Sequence, residues 1–387
     1  MVEPFTLEMP RAIVFGPGVR RRLPELLKSH GRRVLLCTGS RWFGGSGWRQ
    51  EFTRLLQGFE LLPLAVPPGE PECEALEGLL ARARELRPEA ILAIGGGSVL
   101  DTAKVISALA PQGGKVEDYL EGVGRGLPIP APGLPWIAVP TTAGTGAEAT
   151  KNAVIRSRRL GYKRSLRSPF LLASAAVVDP ELSLHCPPGL TGTTGLDALT
   201  QLLESFVSRK ATALPRALAR QAFPLMLSAL KTLAADPGNL AARGDAAYGA
   251  LISGITLANA GLGAAHGFAS GLGGMHEIPH GLICALFMPE VLAWNAEQIR
   301  ADCALLLASV REQEGARPKE DEDPVAWLIA EIETLLGLFG LPANLKGFGI
   351  EPKDLPEIAR RSSGSSMSGN PRELPLAERE RMIARLL

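Results

Sequence analysis

Apolar and polar positions follow two textures along the 387-residue chain. In the first half, short apolar runs alternate with amphipathic stretches. Arg33-Val34-Leu35-Leu36-Cys37 is an aliphatic run that ends at Thr38-Gly39-Ser40. Between Pro71 and Leu86, apolar residues at 76, 79, 80, 83 and 86 recur at helical spacing. Pro88 stops that helix, and Ala90 to Ile94 forms a wholly apolar strand, followed by Gly95-Gly96-Gly97-Ser98 and a helix from Val99 to Leu109. Further strands are expected at Trp136–Val139 and Ala176–Val178. Strands apolar on both faces and separated by helices predict a parallel sheet covered on each side.

The texture changes after Asp179-Pro180. Helical periodicity dominates at Thr194–Ser208, Leu214–Ala234, Asp245–Ala260 and Pro324–Leu338, with short turns such as Asp236-Pro237-Gly238 between them. The length exceeds a usual single core. An α/β domain with a parallel sheet is therefore expected over 1–183, and an all-α domain over 184–387.

Composition narrows the classes. With 41 basic against 40 acidic residues, net charge is +1, which gives no reason to invoke nucleic acid or a membrane surface. No signal peptide is visible at the start, and no apolar run reaches the roughly 18–20 residues that cross a bilayer. Cys37, Cys73, Cys186, Cys284 and Cys303 are odd in number and form no CxxC pair, so they read as buried thiols of a cytoplasmic protein.

Two loops carry candidate chemistry. The glycines at 95–97 lie between a strand and a helix, where backbone N–H groups and the helix N-terminus favour a pyrophosphate. The dinucleotide fingerprint GxGxxG is absent, so the loop alone supports no Rossmann assignment. Pro140-Thr141-Thr142-Ala143-Gly144-Thr145-Gly146-Ala147-Glu148 also follows an apolar strand, as expected of a ligand crevice in an open α/β sheet.

Taken in order, GGGSVLDTAK (95–104), PTTAGTGAE (140–148), VVDP (177–180), GLDAL (195–199) and PHG (279–281) resemble the iron-containing alcohol dehydrogenase family. RAIVFGPG (11–18) and GNPREL (369–374) match its edges. The resemblance spans nearly the whole chain and implies a dehydroquinate synthase-like fold: a dinucleotide-binding α/β domain, then a helical metal and substrate domain. It implies NAD(P)-dependent hydride transfer between nicotinamide and a small alcohol or carbonyl substrate. The cofactor-binding positions it marks are Gly96, Gly97, Ser98, Asp101, Thr141, Thr142, Thr145, Lys163 and Leu182. NAD-specific members carry an aspartate where this chain has Gly39; with Ser40 and Arg41 following, NADP(H) is expected over NAD(H).

The same resemblance implies a divalent metal, Fe²⁺ or Zn²⁺, held by an aspartate, a histidine four residues later and two further histidines. Asp197, His266 and His280 match, but the remaining position is Gln201, whose amide oxygen is a weaker donor than imidazole. Ser270 stands where many relatives carry a further histidine, leaving a water chain to solvent or His276 for proton transfer, with Asp197, His266 and His280 as the other catalytic candidates. Full metal binding, weak binding and loss of metal all remain open at this stage. A maleylacetate reductase-like enzyme and a non-catalytic nucleotide-binding relative are the alternative readings. Relatives are dimers or larger, so a homo-oligomer is expected.

Overall fold

The apolar runs of the first half are strands because each is flanked by helices that cover both its faces. The computed structural model describes residues 4–39, 43, 47–157, 159, 161–316 and 321–387. Its elements run β1 (Ile13–Phe15), α1 (Leu23–Lys28), β2 (Arg33–Gly39), α2 (Trp48–Leu55), β3 (Glu60–Val66), α3 (Cys73–Leu86), β4 (Ala90–Gly95), α4 (Gly97–Leu109), β5 (Trp136–Pro140), β6 (Asn152–Ser157), β7 (Tyr162–Arg167) and β8 (Ala175–Val178). The helices that follow are α5 (Pro188–Val207), α6 (Ala213–Ala235), α7 (Leu240–Ala260), α8 (Ala264–Met275), α9 (His280–Gln313), α10 (Pro324–Leu338), α11 (Leu355–Arg361) and α12 (Leu376–Arg385). No helix among the described residues is long and apolar enough to cross a membrane.

The chain separates into two compact units. One comprises residues 8–142 and 146–183; the other comprises 184–387 together with 143–145 and the first residues. In the first, six of the described strands form a parallel sheet in the order β1-β8-β5-β4-β2-β3. Alternation along each strand feeds two cores. Leu35, Cys37, Ile91, Ala93 and Trp136 pack on one side, and Val34, Leu36, Leu92, Ile94 and Ile137 on the other. Pairing of Gly39 with Val66 and of Gly95 with Pro140 sets the carboxyl ends of these strands side by side. That edge is where open α/β sheets bind ligands.

Sequence periodicity does not reveal the antiparallel hairpin of β6 and β7. Three of the six residues of β6 and four of the six of β7 are polar, because only one face is buried. Its anchor is Lys104 of α4, fully buried, which donates to Asp101 (3.0 Å), to the Thr150 hydroxyl (2.7 Å) and to the Asn152 carbonyl (2.7 Å). Asp101 accepts the Val154 N–H at 2.9 Å with its other oxygen, so one oxygen holds Lys104 within α4 and the other ties α4 to the hairpin. A second knot joins distant motifs: Asp179 accepts the N–H groups of Gly18, Arg20 and Glu181 and pairs with the Arg20 guanidinium at 2.7 Å.

In the helical unit, α5 packs against α6, α7 and α9. Gly195 lets α6 approach, since a Cβ there would lie 2.2 Å from Leu230. Helix α8 escapes a sequence reading because its glycines lower helix propensity. Gly267 and Gly271 instead admit Met367 and Ser362 at distances a Cβ would forbid. Helix α5 begins at Pro188, ahead of the expected Thr194, and α4 begins at Gly97 inside the glycine run.

Lys104→Met leaves Asp101 and Thr150 without their buried cation. The variant should lose about 3–5 kcal/mol, the usual cost of removing one partner from a buried pair. Thermal unfolding checks this; an unchanged midpoint would mean that the tie contributes nothing to α4.

Candidate metal centre and cofactor loops

Asp197 lies on α5, His266 on α8, and His280 and Cys284 one turn apart on α9. Gly281 permits the assembly, since a Cβ there would sit 2.0 Å from the Thr193 carbonyl oxygen. The four side chains bring one ligand atom each to within 4.8 Å of one another. His266 Nε2 stands 3.3 Å from Asp197 Oδ1, and His280 Nε2 stands 3.8 Å from the same oxygen.

The polar atoms themselves point to an ion. Asp197 Oδ1 and His266 Nε2 are buried, yet neither makes a hydrogen bond despite their proximity. Two buried polar atoms that converge without a formed hydrogen bond suit a shared cation, and an uncompensated buried polar atom is otherwise costly. Burial would raise the Asp197 carboxyl, yet His280 and His266 hold it below its ordinary value. Burial opposes charge on His266 too, but Cys284 and Glu204 beside it carry the imidazole well above its usual range. Burial pushes the Cys284 thiol up to about 12 in the absence of an ion. Carboxylate, two imidazoles and a thiol are suitable donors for a divalent transition metal.

Sequence reasoning missed two members. Cys284 had the signal of lying four residues after His280, but no motif marks it. Glu204, buried two turns below Asp197 on α5, accepts from His266 Nδ1 at 2.6 Å and from the Ala265 N–H at 2.7 Å. A carboxylate on Nδ1 fixes the tautomer that leaves Nε2 for a metal. Gln201 is turned otherwise than a ligand requires: its amide N donates to Asp197 Oδ2 at 3.2 Å, and its oxygen accepts from the Ser253 hydroxyl at 2.8 Å. His276 lies outside the cluster, extended at the break that ends α8.

The cofactor candidates occupy the carboxyl edge of the sheet. Gly95 is required there, because a Cβ would meet Val99 at 2.5 Å. Helix α4 follows with Gly96 as its N-cap; no side chain caps it and no acid lies in its first turn, so the N–H groups of Gly97 and Ser98 present positive character. Thr142 faces Gly96, and the Thr141 N–H donates to the Gly95 carbonyl. Thr145 is half-buried. Gly39 ends β2 beside Val99, and Ser40 lies outside the described residues. A cleft of about 180 Å³, lined by Val66, Gly69, Thr102 and Arg156, opens at the end of β3. Three expected contacts have structural occupations: Asp101 ties α4 to the hairpin, Lys163 is buried and paired with Glu70, and Leu182 packs in the core with Ile94 and Val139.

Comparison with known proteins converges on one family. The model described as iron-containing alcohol dehydrogenase matches residues 10–180, and that of the C-terminal part of the Fe-containing alcohol dehydrogenase family matches 191–386. The NAD-dependent methanol dehydrogenase of Bacillus methanolicus is 30% identical, with 92% of each chain covered. The 1,3-propanediol dehydrogenase of Citrobacter freundii is 31% identical over 95% of each. A crystal structure of a 1,3-propanediol oxidoreductase superposes with a TM-score of 0.89 at 29% identity, covering 100% of both chains. With a parallel sheet, a helical unit and two family models spanning the chain, the protein belongs to the iron-containing alcohol dehydrogenase family, oxidoreductases that act on CH–OH groups.

Proposed function

We propose that this chain interconverts small alcohols and their aldehydes or ketones with NADP(H) as the preferred coenzyme and a divalent ion at Asp197, His266 and His280. The observation that carries the reading is the convergence of two buried atoms without hydrogen bonds, Asp197 Oδ1 and His266 Nε2. A divalent ion there supplies Lewis acidity toward the substrate oxygen while the coenzyme carries the redox chemistry. The protein's part is positioning. Glu204 holds the His266 tautomer, and Gln201 steadies Asp197. Gly96, Gly97 and Ser98 offer the first turn of α4 to the pyrophosphate, with Thr141, Thr142 and Thr145 lining the ribose and nicotinamide region.

The NADP(H) preference rests on Gly39. An aspartate there would repel a 2′-phosphate and favour the free ribose hydroxyl. The glycine is not demanded by the backbone: a Cβ would make ordinary contact with Val99 at 3.6 Å. The named relatives, a methanol dehydrogenase and a propanediol dehydrogenase, favour small alcohols over the maleylacetate reductase alternative. The free thiols, four of them buried, favour a reducing compartment. We extend the proposal to a cytoplasmic homo-oligomer divided near residue 183.

Chelation, Asp197→Ala and His266→Ala should each lower kcat/KM for a small aldehyde by at least about a hundredfold, or about 2.7 kcal/mol. NADPH binding, followed by quenching of protein fluorescence, should persist. Full activity in all three cases would sink the metal-assisted reading. Gly39→Asp should shift the ratio of kcat/KM for NADPH over NADH toward NADH by about tenfold or more, equivalent to about 1.4 kcal/mol. An unmoved ratio would remove Gly39 from the coenzyme site.

A further inference from the structure

The metal cluster contains a donor that the family pattern does not provide. Cys284 lies one helical turn beyond His280, fully buried, with Sγ 3.9 Å from His280 Nε2. It belongs to the group whose ligand atoms lie within 4.8 Å of one another. Donors bound to one tetrahedral zinc ion at about 2.0–2.3 Å stand about 3.3–3.6 Å apart. The separations of 3.3 Å (His266–Asp197), 3.8 Å (His280–Asp197) and 3.9 Å (His280–Cys284) are already close to that figure. The remaining pairs lie within 4.8 Å.

Gln201 is placed for a different task. Reversing its amide would turn the carbonyl oxygen toward the Asp197 carboxylate, oxygen against oxygen. The orientation that donates to Asp197 Oδ2 and accepts from Ser253 is therefore the stable one, and it aims an N–H donor at the carboxylate. We propose that Cys284 is the fourth metal ligand of this protein, supplying a thiolate where the family pattern has a histidine on α5, and that Gln201 is a positioning residue for Asp197. The inference rests on the metal reading above.

Forming the sulfur–metal bond releases the thiol proton to solvent, so thiolate and carboxylate together balance the charge of a divalent ion. A set of one carboxylate and three imidazoles would leave one positive charge. Thiolate donors select zinc, and its spectroscopic stand-in cobalt, over manganese and ferrous iron more strongly than imidazole does. Coordination number is conserved; the ligand field and the preferred metal change.

The test strips the purified full-length protein with a chelator, reloads it with Co²⁺ under argon and records the near-ultraviolet and visible spectrum. Wild type should bind one ion per protomer and show a thiolate-to-cobalt charge-transfer band. Cys284→Ser should lose that band while retaining visible cobalt absorption, and its zinc Kd should rise by at least about tenfold. Gln201→Ala and Cys186→Ser should keep the band. Bound cobalt without the band in wild type, or the band surviving in Cys284→Ser, overturns the assignment of Cys284 and leaves the metal reading intact. Failure of wild type to bind cobalt, zinc or ferrous iron overturns both together. The wild-type spectrum decides the matter even if a variant is too unstable to isolate.

Discussion

Two carboxylates buried on one helix govern the helical unit. Asp197 and Glu204 face the same side of α5 two turns apart, both almost wholly removed from water. Unpaired charges of one sign in such a place carry a heavy desolvation penalty, so the surroundings must supply positive charge or protons. His266 lies between them, one ring nitrogen toward each carboxylate. The glycines of α8 and the break before α9 follow from the need to bring His266 and His280 to that one spot. Helix propensity is given up in α8 so that close packing can fix the imidazole.

The sheet unit solves the opposite problem. At its carboxyl edge α4 starts without a capping side chain, so its first backbone N–H groups stay open. Stability is recovered one turn further on, where Lys104 and Asp101 bind the hairpin, and at the far end of the sheet, where Asp179 gathers backbone donors from the turn after β1. Motifs that look like cofactor signatures in the sequence thus mix two kinds of residue. Gly95 and Gly96 stand where a Cβ would crowd Val99 and Thr142, whereas Asp101 and Asp179 hold the frame around them.

Much of this was legible in the chain. The parallel sheet announced itself because its strands are apolar on both faces, and Asp197, His266 and His280 stood out through ordered motifs. What escaped did so for physical reasons. The hairpin strands mix polar and apolar residues without a period of two, α8 is too rich in glycine, and α9 crosses Pro289 without interruption. Glu204 and Cys284 belong to no motif; their roles come from helix geometry, seven residues along α5 and four along α9, which becomes informative only once the helices are packed. Lys163 shows the converse, since a residue at a family spacing has its ammonium against Glu70.

Accessibility within the cluster is sharply unequal. The side chains of Asp197 and His266 are 3% and 5% exposed and Cys284 is fully buried, whereas His280 is 28% exposed. The His280 ring is thus the one member of the cluster through which an ion held here would exchange. His280 is the first residue of a long helix, and Asp197, His266 and Cys284 lie buried behind it. Such an arrangement would separate affinity from lability: the buried donors would set how tightly an ion is held, and a single side chain how fast it is exchanged.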